Sequence, residues 1–347
     1  MKRIMQVVEQ IEHSKSLILK GSESDLRMAL LLLDNAVEIM MFRVIQQIMT
    51  HSDRYEQLLR HFPENLEDEK SKKLHFDLKK KTINQAERKK IERFFHEKVN
   101  FLSSEKIREI SYVKKIIPAE TAAVLNAIHF YRNEIYHRDY VRKETLRHTT
   151  LILYEVLCDL FVPLTISSGG GVISSNDYDR INKFRKRLGL SQGSFLQEKE
   201  HGRIRDYLKV GIEIKAEDLA VGLKEHLLER IDGTRGALEF IRRDGFDVPS
   251  SDEALKRVLF FENIVGKKPL KDFKKQLAEY VPPYKVDFLE RLEQKAQAIE
   301  QEKEKLKIFA MFAQLEMEFE PLEIIIDKSA CELDAAIQME VDRMRGK

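Results

Sequence analysis

Residues 151–161 read LILYEVLCDLF, apolar on nearly every side of a helix, and that constrains the chain more than any other feature. A helix without a polar face has to be surrounded by other elements, so the span from about Arg142 to Phe161 belongs at the centre of a core. A second segment, about Asp25 to Met49, carries Leu30, Leu33, Val37, Met40, Met41, Val44 and Ile48 at helical spacing and needs the same burial. With only 14 Gly and 8 Pro in 347 residues, few tight turns are available to join short strands. The expected fold class is all-α, and the length suits two domains.

The punctuation of the chain divides it further. Met1 to Leu19 reads as a first helix ended by Gly21, with Ser22 or Ser24 positioned to cap the next. Pro118 and Glu120 open a helix through about His137, since Pro suits the first turn and an acidic residue suits the positive helix end. The only Gly/Ser-rich stretch, TISSGGGVISSND, reads as a linker over 166–178. The expected organisation is a helical bundle over 1–165, with a basic insertion at 52–115, and a helical C-terminal domain over 179–347. Within the latter, breaks are expected at Gly211, Gly233, Gly245 to Pro249, Gly266 and Pro282-Pro283. A long charged helix is expected from about Lys285 to Glu318, its apolar seam interrupted at Lys303.

Charge is uneven although the total is only +2. From Leu66 to Lys115 there are 15 Lys and Arg against 9 Asp and Glu, and from Val286 to Lys347 the counts are 9 and 15. The basic surplus, with Lys79, Lys80 and Lys81 in one run, suits contact with a phosphate backbone, whereas its recurring Glu87, Glu92 and Glu97 would temper it. Cys158 and Cys331 stand far apart with no metal-ligand spacing, so a reducing, cytoplasmic setting is expected. The N-terminus is interrupted by Glu9, Glu12, His13 and Lys15, and the longest apolar run, Met28 to Leu33, stops at Asp34. Neither pattern is that of a membrane span or a leader, and no membrane partner is expected.

The segment richest in chemistry is NAIHFYRNEIYHRDY, Asn126 to Tyr140. At about 100° per residue, Val124, Ile128, Tyr131 and Ile135 share one narrow arc and form a buried stripe. His129, Asn133 and His137 then line the opposite side, with Arg132 and Tyr136 between the two arcs. Two histidines, an amide and an arginine are thus expected on a face that the helix's own core leaves over. A histidine titrates near neutrality and suits proton transfer, and a guanidinium binds a phosphate through two N–H groups. The bland alternative is that Arg132 and His137 satisfy helix-end carbonyls or pair with Glu134 and Asp139.

Arg132-Asn133-Glu134-Ile135-Tyr136-His137 resembles the motif of the HEPN superfamily, the higher eukaryotes and prokaryotes nucleotide-binding domain. The resemblance covers residues 1 to about 165 and implies a small helical bundle, in many members a metal-independent endoribonuclease. Arg132, Asn133 and His137 would be its catalytic residues. In such bundles an acidic or amide residue of an early core helix often supports the motif, a role that falls to Asp34 with Glu38 one turn on. His129 and Tyr136 would support the same site. The resemblance further implies that two protomers pair through the motif face, so that both copies of His137 share one cleft. Standalone ribonucleases of this kind often serve as toxins or anti-phage effectors, in which case residues 179–347 would bind an inhibitor or trigger protein. The rival reading is a catalytically inactive HEPN-like scaffold that binds RNA or protein.

No metal or other cofactor is expected. His129, Asn133 and His137 resemble a metal ridge, but no further ligand follows at the required spacing. Ser168-Ser-Gly-Gly-Gly lacks the GxxxxGK[ST] context of a phosphate loop, and Ile181 to Phe195 matches only the opening of a helix-turn-helix. No kinase signature, nucleophile elbow or dinucleotide fingerprint is present.

Overall fold

A computed structural model describes residues 2–61, 73, 76, 79, 117–138, 142–166, 175–191, 198–264 and 272–345. The protein is all-α, with no strand among the described residues. It forms two compact units, Met1–Ile214 and Lys215–Lys347.

The first unit holds α1 (Lys2–Lys20), α2 (Glu23–His61), α3 (Ala119–Arg138), α4 (Lys143–Ile166), α5 (Ser175–Arg187) and α6 (Glu198–Lys209). Helix α1 stops at Gly21, which adopts φ +77°, a left-handed conformation that costs a residue without Cβ little. Ser22 then caps α2: its Oγ accepts from the Asp25 N–H at 3.1 Å and its hydroxyl donates to Asp25 Oδ2 at 2.5 Å. As the all-round apolar pattern requires, α4 lies at the centre, packed by α1, α2, α3 and α6, with Ile152, Tyr154, Leu157, Cys158 and Phe161 all buried. Thr145–Thr165 is long and apolar enough to cross a bilayer by composition alone, but 72% of its most apolar window is buried here, the packing of a core helix. Burial pushes the Cys158 thiol up to about 12, which keeps it protonated and unreactive at neutral pH.

Two expectations about this half are corrected. Helix α2 does not end near Met49 but continues to His61, taking in the first ten residues of the expected insertion. The units do not divide at 166–178 either, because α5 and α6, beyond that stretch, belong to the first unit. Long-range polar contacts explain why. Tyr154 donates its hydroxyl to the Leu208 carbonyl at 2.6 Å, Thr165 Oγ1 and His201 Nδ1 are 2.7 Å apart, and Lys209 pairs with Asp159. Buried Arg185 grips buried Glu200 with both guanidinium ends and joins α5 to α6.

The second unit holds α7 (Ala216–Phe240), a π-helical turn (Ile241–Phe246), α8 (Ser251–Ile264), α9 (Phe273–Glu279), α10 (Asp287–Ala298), a 3₁₀ turn (Ile299–Gln301) and α11 (Lys305–Met344). Its core is the seam of α7 and α11, where Leu223, Leu227, Ile231 and Leu238 meet Phe309, Phe312, Phe319 and Leu322. Arg230 braces the seam by pairing with Glu316 and Glu323 while its guanidinium lies over the Phe319 ring. Gly233 does not break its helix, since α7 runs through it. The single helix expected over 285–318 is two: the chain leaves helical geometry at Glu302, whose carboxylate accepts from the Lys303 and Glu304 N–H groups. Gly211 and Pro282-Pro283 do fall between helices; of the break expected over 245–249, residues 245 and 246 still belong to the π-helical turn and the chain leaves helical geometry only at Asp247; Gly266 lies outside the described residues.

Leu157→Ala, which empties volume where several helices meet, should lower unfolding free energy by about 2–5 kcal/mol in a denaturant titration. A chain ending at Ile214 should unfold in one cooperative transition. A chain ending at residue 178 removes the partners of Tyr154 and Thr165 and should melt at a markedly lower temperature.

Candidate functional site

Helices α2 and α3 bring four charged or titratable side chains into one seam. On α2, Asp34 follows Leu30 by one turn and precedes Val37 by another, so burying that stripe carries the carboxylate inward. Asp34 is 1% exposed, while Glu38, one turn further on, is 31% exposed at its side chain. On α3, His129 and Arg132 are three residues apart and therefore neighbours on one face.

Arg132 Nε lies 3.0 Å from Asp34 Oδ2, and Nη2 lies 3.9 Å from Glu38 Oε1. His129 Nδ1 is 3.3 Å from Asp34 Oδ1 and 3.7 Å from Glu38 Oε1. Arg132 Nη1 also donates to Asn133 Oδ1 at 2.8 Å. Asp34 thus faces the histidine with one oxygen and the arginine with the other, drawing both side chains toward one carboxylate. Burial and the nearby Asp34 charge push Glu38 above the usual carboxylate range, against the opposing pull of Arg132 and His129.

The expected buried stripe of α3 is buried as read: Val124, Ile128, Tyr131 and Ile135 are at most 6% exposed. On the face opposite, His129 departs from the expectation while Asn133 is half-buried. His129 is 3% exposed and turned onto α2, because the buried arc of α3 extends beyond the apolar residues to include the polar pair. As for the bland alternative in which Arg132 pairs with Glu134, Arg132 lies against Asp34, and Glu134 takes Arg142 at 2.9 Å. His137 and Tyr136 stand on the last turn of α3, and their side chains lie outside the described residues. Lys79 is helical and exposed; Lys80 and Lys81 lie outside the described residues, as does most of the 52–115 insertion.

Spacing on α3 carries no sign of the carboxylates from α2, which only the resemblance names, as supports of the motif. Asp34, Glu38 and His129 place ligand atoms within 4.8 Å of one another, a donor set able to hold a divalent cation. Arg132 already sets a positive charge against both carboxylates, so any such ion would compete with the guanidinium. Chemically, the seam is an arginine and a buried histidine set against two carboxylates, an arrangement that holds the guanidinium in place. Comparison with known proteins, by family model, by curated sequence and by solved structure, finds no match.

Removing one partner of a buried pair leaves the other charge uncompensated, at a cost of about 3–5 kcal/mol when both are fully buried. Arg132→Ala should fall below that range, because Arg132 is 21% exposed, and Asp34→Asn combined with it should cost less than the sum of the single changes. Denaturant titrations of the three variants form the cycle. Glu38 holds its proton more tightly folded than unfolded, so it favours the folded state below the ordinary carboxylate pKa and that contribution is lost as pH rises through the raised value. Glu38→Gln should therefore raise the melting temperature at neutral pH, with a smaller gain in acid; an equal gain at both would show that the charge is not the cause.

Proposed function

We propose that this chain is a metal-independent endoribonuclease of HEPN type, acting as a homodimer through the motif face. The observation that supports this best is the Asp34–Arg132 pair, with His129 on the same carboxylate, behind an Arg-Asn-x₃-His sequence. In the proposed reaction one His137 removes the proton of the ribose 2′-hydroxyl, whose oxygen attacks the adjacent phosphorus. The partner's His137 protonates the departing 5′-oxygen, leaving a 2′,3′-cyclic phosphate and a 5′-hydroxyl. Arg132, oriented by Asp34, offsets the charge that develops on the phosphorane, where a fixed cation contributes most. Asn133, which accepts from Arg132, helps set its rotation.

RNA is the proposed partner, guided by Lys79, Lys80 and Lys81 in the basic insertion. A cytoplasmic toxin or anti-phage effector is the proposed setting, with the C-terminal unit binding an inhibitor or trigger protein. A second reading, an inactive HEPN-like scaffold, is favoured by one observation: Arg132 is already engaged by Asp34, Glu38 and Asn133.

Purified chain incubated with RNA and EDTA decides between them. Cleavage should persist and leave 2′,3′-cyclic phosphate ends, and His137→Ala should reduce it by at least about 10²-fold. Cleavage that requires Mg²⁺ or Mn²⁺ and leaves 5′-phosphates would instead assign a cation to Asp34, Glu38 and His129. Mixing Arg132→Ala with His137→Ala chains should restore part of the activity if two protomers share the cleft. Replacing Lys79, Lys80 and Lys81 by Gln should weaken RNA binding and flatten its salt dependence, whereas unchanged binding would return them to a solvated face.

A further inference from the structure

Glu134 and Arg142 flank His137 in the chain and meet in the core of the first unit. They are 5% and 8% exposed, and Arg142 Nε donates to Glu134 Oε2 at 2.9 Å. The Arg142 guanidinium also lies over the Tyr131 ring, 4.7 Å from its centroid. A buried ion pair of this kind is a poor source of stability, because apolar residues of similar volume often serve as well. What a planar fork adds is direction, since it bonds a carboxylate and stacks on a ring in few orientations.

Its location shows what is being directed. Glu134 stands on α3 a turn before His137. Arg142 immediately precedes α4, and its carbonyl accepts from the Leu146 N–H at 2.8 Å and faces the Thr145 hydroxyl, starting the first turn of that helix. The pair therefore ties the last turn of α3 to the first turn of α4. On the other side of α3, Arg132 is tied to α2 through Asp34. The motif residues are bracketed between two charge pairs on two different helices.

We infer that Glu134 and Arg142 are positioning residues that fix the end of α3 on which His137 stands. The catalytic consequence rests on the nuclease reading above; the structural role does not. The test uses the full chain in three forms: unaltered, Glu134→Leu with Arg142→Met, and the exchanged pair Glu134→Arg with Arg142→Glu. The apolar double variant should remain folded by circular dichroism. Its amide hydrogen exchange in the last turn of α3 and the first turn of α4 should accelerate at least about tenfold, with the rest of the unit unchanged. Its kcat for RNA should fall about 10²-fold with KM nearly constant, as expected when a reacting group is displaced rather than binding lost. The exchanged pair should recover part of both. Unchanged exchange in those turns overturns the inference, whether or not the chain cleaves RNA. An unaltered chain that leaves RNA intact overturns the nuclease reading alone, and the exchange comparison still decides the role of the pair.

Discussion

The first unit depends on enclosing α4. A helix carrying Ile152, Tyr154, Leu157 and Phe161 around most of its circumference leaves only a narrow strip, with Asp159 on it, to water, and four other helices pack against the rest. That demand recruits α6 from beyond the Gly/Ser stretch. It also sets α2 and α3 beside the same core, so the seam that holds the charged residues follows from an apolar requirement elsewhere.

Within that seam, charge takes over from hydrophobicity as the organising force. Asp34 is buried because its neighbours Leu30, Leu33 and Val37 are, and a buried carboxylate needs partners. Arg132 and His129 answer it from α3. The same logic is repeated a turn or so later with Glu134 and Arg142, and in the second unit with Arg230 between Glu316 and Glu323. In each case an arginine fork joins two helices that apolar contact alone would leave able to slide.

The fold class, the stripe of α2 from Leu30 to Met41, the stripe of α3 and the central position of α4 were legible in the sequence, because each follows from the spacing of apolar residues on one helix; the side chains of Val44 and Ile48 lie outside the described residues. The stop at Gly21 and the cap at Ser22 were legible for a similar local reason. What periodicity along one helix could not supply was pairing between helices. Asp34 and His129 are 95 positions apart, so nothing in the spacing of α3 announced that its second polar face was spoken for. The unit boundary was misplaced because Gly and Ser signal a permissive backbone, whereas the contacts of Tyr154, Thr165 and Arg185 decide which side the following helices join. The break at Glu302 had a faint signal in the Lys303 interruption of the seam, and Gly233 had a false one, since a single glycine is tolerated inside a long helix.

Tyr154 gives the molecule an optical handle. The chain contains no tryptophan, so its near-ultraviolet absorption and intrinsic emission come from tyrosines and phenylalanines. Tyr154 is 1% exposed and its hydroxyl is committed to the Leu208 carbonyl, while burial pushes its ionisation far above the usual phenol range. In an alkaline spectrophotometric titration the exposed tyrosines would ionise reversibly first. Tyr154 would follow only when α6 separates from α4, so its share of the late phenolate signal reports the opening of that interface.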